Sequence, residues 1–128
     1  MQAPSKRDIA GPGGKRRKAL DAPPQEFDYL LVMDFEWSKS LSGFGAGVQI
    51  PLEIIEFPAV LYRQRPRNPK LELVAEFQRY CRPVKTPLLS PFSMELTGIK
   101  QEQVSAAETL PVVLQEFEVW LGEQGLLQ

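Results

Sequence analysis

Phe27-Asp28-Tyr29-Leu30-Leu31-Val32-Met33-Asp34-Phe35-Glu36 is the stretch that decides the fold. Its middle is a continuous run of β-branched, aromatic and long apolar residues, closed by two acids. Such a run reads as a strand over 27–35, covered on both faces at the centre of a sheet. Strand side chains alternate, so Asp34 and Glu36 fall on one face. Two carboxylates that close repel each other, and burying either alone is costly.

Outward from this strand, residues 38–51 are rich in Ser and Gly and read as a loop. Residues 52–62 form a second strand, where Pro58 implies a bulge or an edge position. Residues 63–70 hold two prolines and three arginines and read as a hairpin loop. Residues 71–80 form a third strand, with Leu71, Leu73, Ala75, Phe77 and Arg79 on one face. A Pro-rich connection follows. Ser90 then caps a short helix, Pro91 opens it and Gly98 ends it. A last helix over about 109–122 carries Leu110, Val113, Leu114, Phe117, Trp120 and Leu121 as one apolar stripe. The order is three strands, then helices, with no internal repeat.

Composition sets the frame. The chain has 128 residues, of which 43% are hydrophobic and 24% charged, an ordinary globular balance. That length suits one domain. Twelve prolines argue against an all-helical bundle. The single cysteine, Cys81, excludes an internal disulfide framework and a Cys-based zinc site, and fits a reducing compartment. With no histidine, the chain carries neither Ser-His-Asp nor Cys-His catalysis. No apolar run is long enough for a transmembrane helix, and no secretory signal is visible. The expected setting is intracellular, in nucleus or cytoplasm, without membrane contact. Residues 1–26 hold six basic and three acidic residues, and residues 27–128 hold nine basic and thirteen acidic ones. The first segment reads as a disordered basic tail with a Lys15-Arg16-Arg17-Lys18 cluster, and 27–128 as the folded domain.

The chemistry centres on Asp34 and Glu36. Open α/β sheets hold ligands at the carboxyl end of a central strand. Oxygen-only donors favour Mg²⁺ or Mn²⁺, ions that would neutralise the pair and hold a phosphodiester. The bland reading is a polar strand end facing solvent. Glu53 and Glu56 lie three apart, on opposite strand faces, and so make no pair.

Tyr29 to Glu36 resembles the first exonuclease motif of the DEDDh 3′–5′ exonucleases. Glu53-Ile54-Ile55-Glu56-Phe57-Pro58 resembles the segment that follows in their Eri1-like branch. Pro87 to Lys100, with its Glu95-Leu96-Thr97-Gly98-Ile99 core, and the Leu, Phe and Trp-Leu helix after it are similar to the same branch. The resemblance spans about 27–122, with three motifs in order. It implies the N-terminal part of an RNase H-like mixed α/β sheet, and two-metal-ion removal of nucleotides from 3′ ends, usually of single-stranded RNA. By position, it makes Asp34 and Glu36 ligands of Mg²⁺ or Mn²⁺. Glu36 would also touch the terminal nucleotide and help orient the attacking water. The backbone of Phe35 to Trp37 would lie along that nucleotide, and Leu96 and Thr97 would line the pocket for its base and sugar. For Leu96, Thr97 and Gly98 the alternative is a capped helix end, and both roles are compatible.

The family also needs two more carboxylates and a histidine base, which would follow the last helix. The chain therefore reads as roughly the N-terminal half of such a domain, with the C-terminal half missing. Trp37-Ser38 stands where the family has a small residue and Thr, and the stretch from Trp37 to Ile50 matches poorly. An incomplete sheet would leave an unpaired edge open to self-association. The alternative function is a non-catalytic product that binds RNA or a protein partner.

Overall fold

The computed structural model describes residues 26–38 and 51–128. The expected basic tail and the Ser/Gly-rich loop lie outside the described residues, except at Glu26, Ser38 and Pro51. Four strands precede three helices: β1 (Tyr29–Met33), β2 (Glu36–Trp37), β3 (Ile54–Arg65), β4 (Asn68–Tyr80), α1 (Pro91–Thr97), α2 (Gln101–Ser105) and α3 (Leu110–Glu123). The sheet is antiparallel throughout. Strand β3 is central, with β1 and β2 on one side and β4 on the other.

Strands β1 and β2 are one strand, interrupted at Asp34-Phe35. Tyr29 to Met33 pair with Arg63 to Ala59, and Glu36 meets Glu56 in the same register. The cause lies in Pro58. The Cys81 N–H donates to the Ile55 carbonyl at 2.8 Å. Peptide groups alternate sides along a strand, so those of Ile55, Phe57 and Ala59 turn to β4 and that of Pro58 turns to the Asp34 side. Pro58 has no N–H to give there, and the ladder breaks. The sequence reading expected Pro58 to mark an edge or a bulge. It sits instead in the central strand, at a gap in the ladder.

The first strand is not central. Among the described residues β1 pairs only with β3, and Val32 and Met33 are 52% and 43% exposed. An apolar run records what a strand could bury, not which neighbours cover it.

All three helices pack on one sheet face. The inward residues of β3 are Ile55, Phe57, Ala59 and Leu61, all buried. Phe57, Ala59, Phe77, Cys81 and Val113 form one cluster, flanked by Leu31, Phe35, Leu110, Phe117 and Trp120. Phe57 stands 4.7 Å from Phe35 and 4.9 Å from Phe117 between ring centroids. Ile55, Leu89, Ile99 and Val104 form the second cluster. Leu110, Val113, Phe117 and Trp120 are the seated part of the α3 stripe, while Leu114 stays 46% exposed.

The β3–β4 hairpin departs from the expected loop. Both strands run on, and the turn is only Pro66-Arg67, with Arg67 at φ 66°. Further along, Leu61 pairs with Ala75 but Tyr62 pairs with Leu73, so Val74 is an extra residue in β4. This bulge reverses the alternation. Phe77 is buried, whereas Leu73 is 58% exposed, so the five residues expected on one face of this strand divide between two.

The α1 signals hold. The Ser90 hydroxyl accepts from the Ser93 N–H at 3.0 Å, Pro91 opens the helix, and Gly98 closes it at φ 71° with its N–H on the Met94 carbonyl. The unforeseen helix is α2, whose five residues are too few to show a period.

Candidate metal and nucleotide site

Asp34 and Glu36 remain on one face across the ladder break. Residues 34 and 35 stand opposite Pro58 and Phe57 with no residue inserted, as the common register of β1 and β2 requires. Phe35 packs on Phe57 on the helix side. Its neighbours therefore project from the opposite face, which no helix covers among the described residues. Asp34 is exposed and Glu36 half-buried. Glu36 lies directly across from Glu56, a distance at which like charges repel. Gln78 Nε2 donates to Glu56 Oε1 at 3.2 Å and engages one of its oxygens.

The register shifts between Glu36 and Trp37, which meets Ile54. Trp37 is 41% exposed and forms one wall of an open groove with Leu52, Ile54, Val84, Leu110 and Pro111. Arg82 and Lys85 also line this groove. The backbone after Trp37 is fixed from both sides. Ser38 N–H donates to the Glu53 carbonyl at 2.7 Å, and Glu53 N–H donates to Ser38 Oγ at 3.0 Å.

Glu53 has a structural role that its spacing did not reveal. Its Oε1 accepts from the N–H groups of Val84 and Lys85, at 2.9 and 3.1 Å. Its Oε2 accepts from the N–H groups of Lys85 and Thr86, at 3.1 and 3.0 Å, and from the Thr86 hydroxyl at 3.3 Å. Burial acts to raise its pKa. The N–H groups of Thr86, Val84 and Lys85 and the Thr86 hydroxyl outweigh this and hold the carboxyl below its ordinary 4.5. One side chain thus fastens the 84–86 loop to the start of β3.

The motif around Glu95 to Ile99 reaches the same end of the sheet. Ile55, between the partners of Trp37 and Glu36, packs with Ile99 and Val104. The α1–α2 corner that carries Leu96 to Ile99 is therefore anchored on the helix-side face of β3, at the level where β2 pairs with it. Leu96 is 56% exposed. Thr97 donates its hydroxyl to the Ser93 carbonyl at 2.7 Å and accepts from the Ile99 N–H at 3.2 Å. The capped-helix role of Thr97 is thus realised, which leaves its hydroxyl little spare capacity, while Leu96 offers a bare apolar surface.

Asp34 and Glu36 supply hard oxygen donors, the chemistry that Mg²⁺ and Mn²⁺ take. No group of three or more His, Cys, Asp or Glu side chains that could hold a metal ion occurs among the described residues. Two donors suit an ion that keeps much of its water, as Mg²⁺ does. Sequence reasoning missed Glu53, Arg82 and Lys85. Glu53 has partners 31 to 33 residues away, so no local spacing could signal them.

The exonuclease family of RNase T type matches residues 31–128. The human ERI1 exoribonuclease 3 is 36% identical over 117 residues, covering 91% of this chain and 32% of that protein. The human ERI1 exoribonuclease 2 is 44% identical over 97 residues, covering 76% of this chain and 13% of that protein. Among solved structures, the nuclease domain of 3′hExo, a DEDDh family member bound to rAMP, superposes with a TM-score of 0.68 at 36% identity. That match covers 81% of this chain and 48% of the other. The chain spans at most about a third of the length of these curated relatives. The exonuclease family implies dependence on a divalent metal. With the motifs in order, the antiparallel sheet followed by helices, and the matching fold, the chain belongs to the exonuclease family, in its Eri1-like DEDDh branch.

Proposed function

We propose that this chain carries the N-terminal half of a 3′–5′ exoribonuclease site that works with two Mg²⁺ or Mn²⁺ ions on single-stranded RNA ends. The observation that carries the reading is the Asp34 and Glu36 pair on one face at the break of the first strand. The two carboxylates would hold the ions. The chemistry supplied by bound ions is activation of the attacking water and stabilisation of the leaving oxygen. Glu36 would also contact the terminal nucleotide and orient that water. The backbone from Phe35 to Trp37 would lie along the nucleotide. Leu96 would meet its base, and Thr97 would add at most one polar contact to its sugar. The relative bound to rAMP supports a nucleotide ligand of this kind.

A second reading is binding without cleavage. It is favoured by the edge position of β1, which among the described residues pairs only with β3. In that reading the open β1 edge, with Val32 and Met33 exposed, is the surface for a protein partner or for self-association. The test uses 5′-labelled single-stranded RNA with Mg²⁺, Mn²⁺ or chelator, and Asp34→Asn and Glu36→Gln as controls. Metal-dependent shortening from the 3′ end, lost in both variants, supports the first reading. RNA retention without cleavage by folded protein supports the second.

A further inference from the structure

We propose that the groove beside Trp37 is a second nucleotide subsite, which takes a base and phosphate of the RNA strand held at Asp34 and Glu36. This rests on the reading of the site given above. Three observations carry it. The groove adjoins the site across the edge strand, because Trp37 follows Glu36 directly and forms the groove wall on the helix side of that strand. Its surface is apolar, with Leu52, Ile54 and Leu110 around a 41% exposed indole. Its charged lining is cationic on balance. Arg82 and Lys85 stand against Glu53, whose two oxygens are already occupied by the 84–86 backbone and the Thr86 hydroxyl.

An aromatic face beside cations is the arrangement that binds single-stranded nucleic acid: the base stacks and the phosphate meets the charge. The cationic balance and the indole favour this occupant over an apolar peptide. The two cations differ in freedom. Arg82 Nε donates to the Ala107 carbonyl at 3.2 Å, and its backbone N–H to the Glu108 carbonyl. Its guanidinium is thus held in place at the groove. The exposed Lys85 has the greater reach. The α3 N-terminus adds to the same field. Its cap residue Thr109 makes no side-chain cap hydrogen bond, and Leu110 and Pro111 of its first turn line the groove.

The test titrates the full chain with labelled single-stranded oligouridine in chelator, reading RNA anisotropy for binding and tryptophan emission for the groove. Trp37→Phe identifies which part of the emission belongs to Trp37. Binding is expected to quench that part, and Trp37→Ala to weaken binding about tenfold. Lys85→Gln is expected to lower the slope of log affinity against log salt by about 0.7, the value for one phosphate contact on a single strand, and Lys85→Arg to restore it. RNA that binds with Trp37 emission unchanged, and with a slope indifferent to Lys85, overturns the subsite and leaves the proposed function standing. RNA that fails to bind the wild-type chain in chelator overturns the subsite, and RNA that fails to bind it in Mg²⁺ as well overturns the proposed function.

Discussion

Replacing Glu53 by Gln tests how the candidate site is braced. Both carboxylate oxygens are acceptors, serving three N–H groups and one hydroxyl of the 84–86 loop at 2.9 to 3.3 Å. In Gln one oxygen becomes an NH₂ group, which sets a donor against donors. At least one hydrogen bond to a charged group is lost, and such bonds contribute about 1.5–3 kcal/mol each. Glu53 is only half-buried, so water recovers part of the loss. The expected destabilisation is about 1–2 kcal/mol at neutral pH, read from urea unfolding by circular dichroism.

The pH dependence of the same variant carries a sign. Burial raises the Glu53 pKa, but the loop donors outweigh it and hold the folded value below 4.5. A carboxyl depressed by folding contributes stability above its unfolded pKa, and that contribution is lost as pH falls through the folded value. The gap between wild type and Glu53→Gln is therefore full at neutral pH and narrows below 4.5. A variant as stable as wild type at neutrality, or a gap that stays as wide in acid, refutes the reasoning.

Phe57 touches Phe35, Phe77 and Phe117 and is buried. Phe57→Ala is expected to cost about 3–5 kcal/mol, enough to unfold much of the protein, and Phe57→Leu far less, by the same urea titration. Gly98 closes α1 at φ 71° with open space where a Cβ would stand. Gly98→Ala should therefore cost only the left-handed backbone penalty, about 1–2 kcal/mol, with Gly98→Asn milder, as thermal melts will read. Cys81 is buried, and that burial, with Glu116 nearby, pushes its thiol up to about 11. Iodoacetamide at mildly alkaline pH should leave it unmodified in native protein and alkylate it readily in denaturant.

Legibility followed the range of the physical signal. The α1 limits were readable because Ser90, Pro91 and Gly98 each act on the backbone within a turn. The face shared by Asp34 and Glu36 was readable because alternation survives the ladder break. That Pro58 disturbs the sheet was also readable, but not where: the outcome depended on which side its missing N–H faced, and β4 fixed that through Cys81 and Ile55. The bulge at Val74 left no trace, since apolar residues stand on both faces of β4 around it. The apolar run of β1 predicted a central strand because sequence reports the demand for burial and not its supply. Glu53 was dismissed on spacing from Glu56, whereas its role came from a loop far along the chain. Trp37 was read as a neighbour of the metal pair, and the register shift after Glu36 turned it toward a groove with Ile54 and Leu110.

The central claim is that Asp34 and Glu36 form the metal-holding pair, and Mn²⁺ titration followed by electron paramagnetic resonance tests it most directly. The account predicts weak Mn²⁺ binding that Asp34→Asn and Glu36→Gln each abolish. Glu56→Gln should preserve it, since that side chain is engaged by Gln78 and opposes Glu36 without completing a site. Mn²⁺ binding that survives both Asp34→Asn and Glu36→Gln would contradict the account.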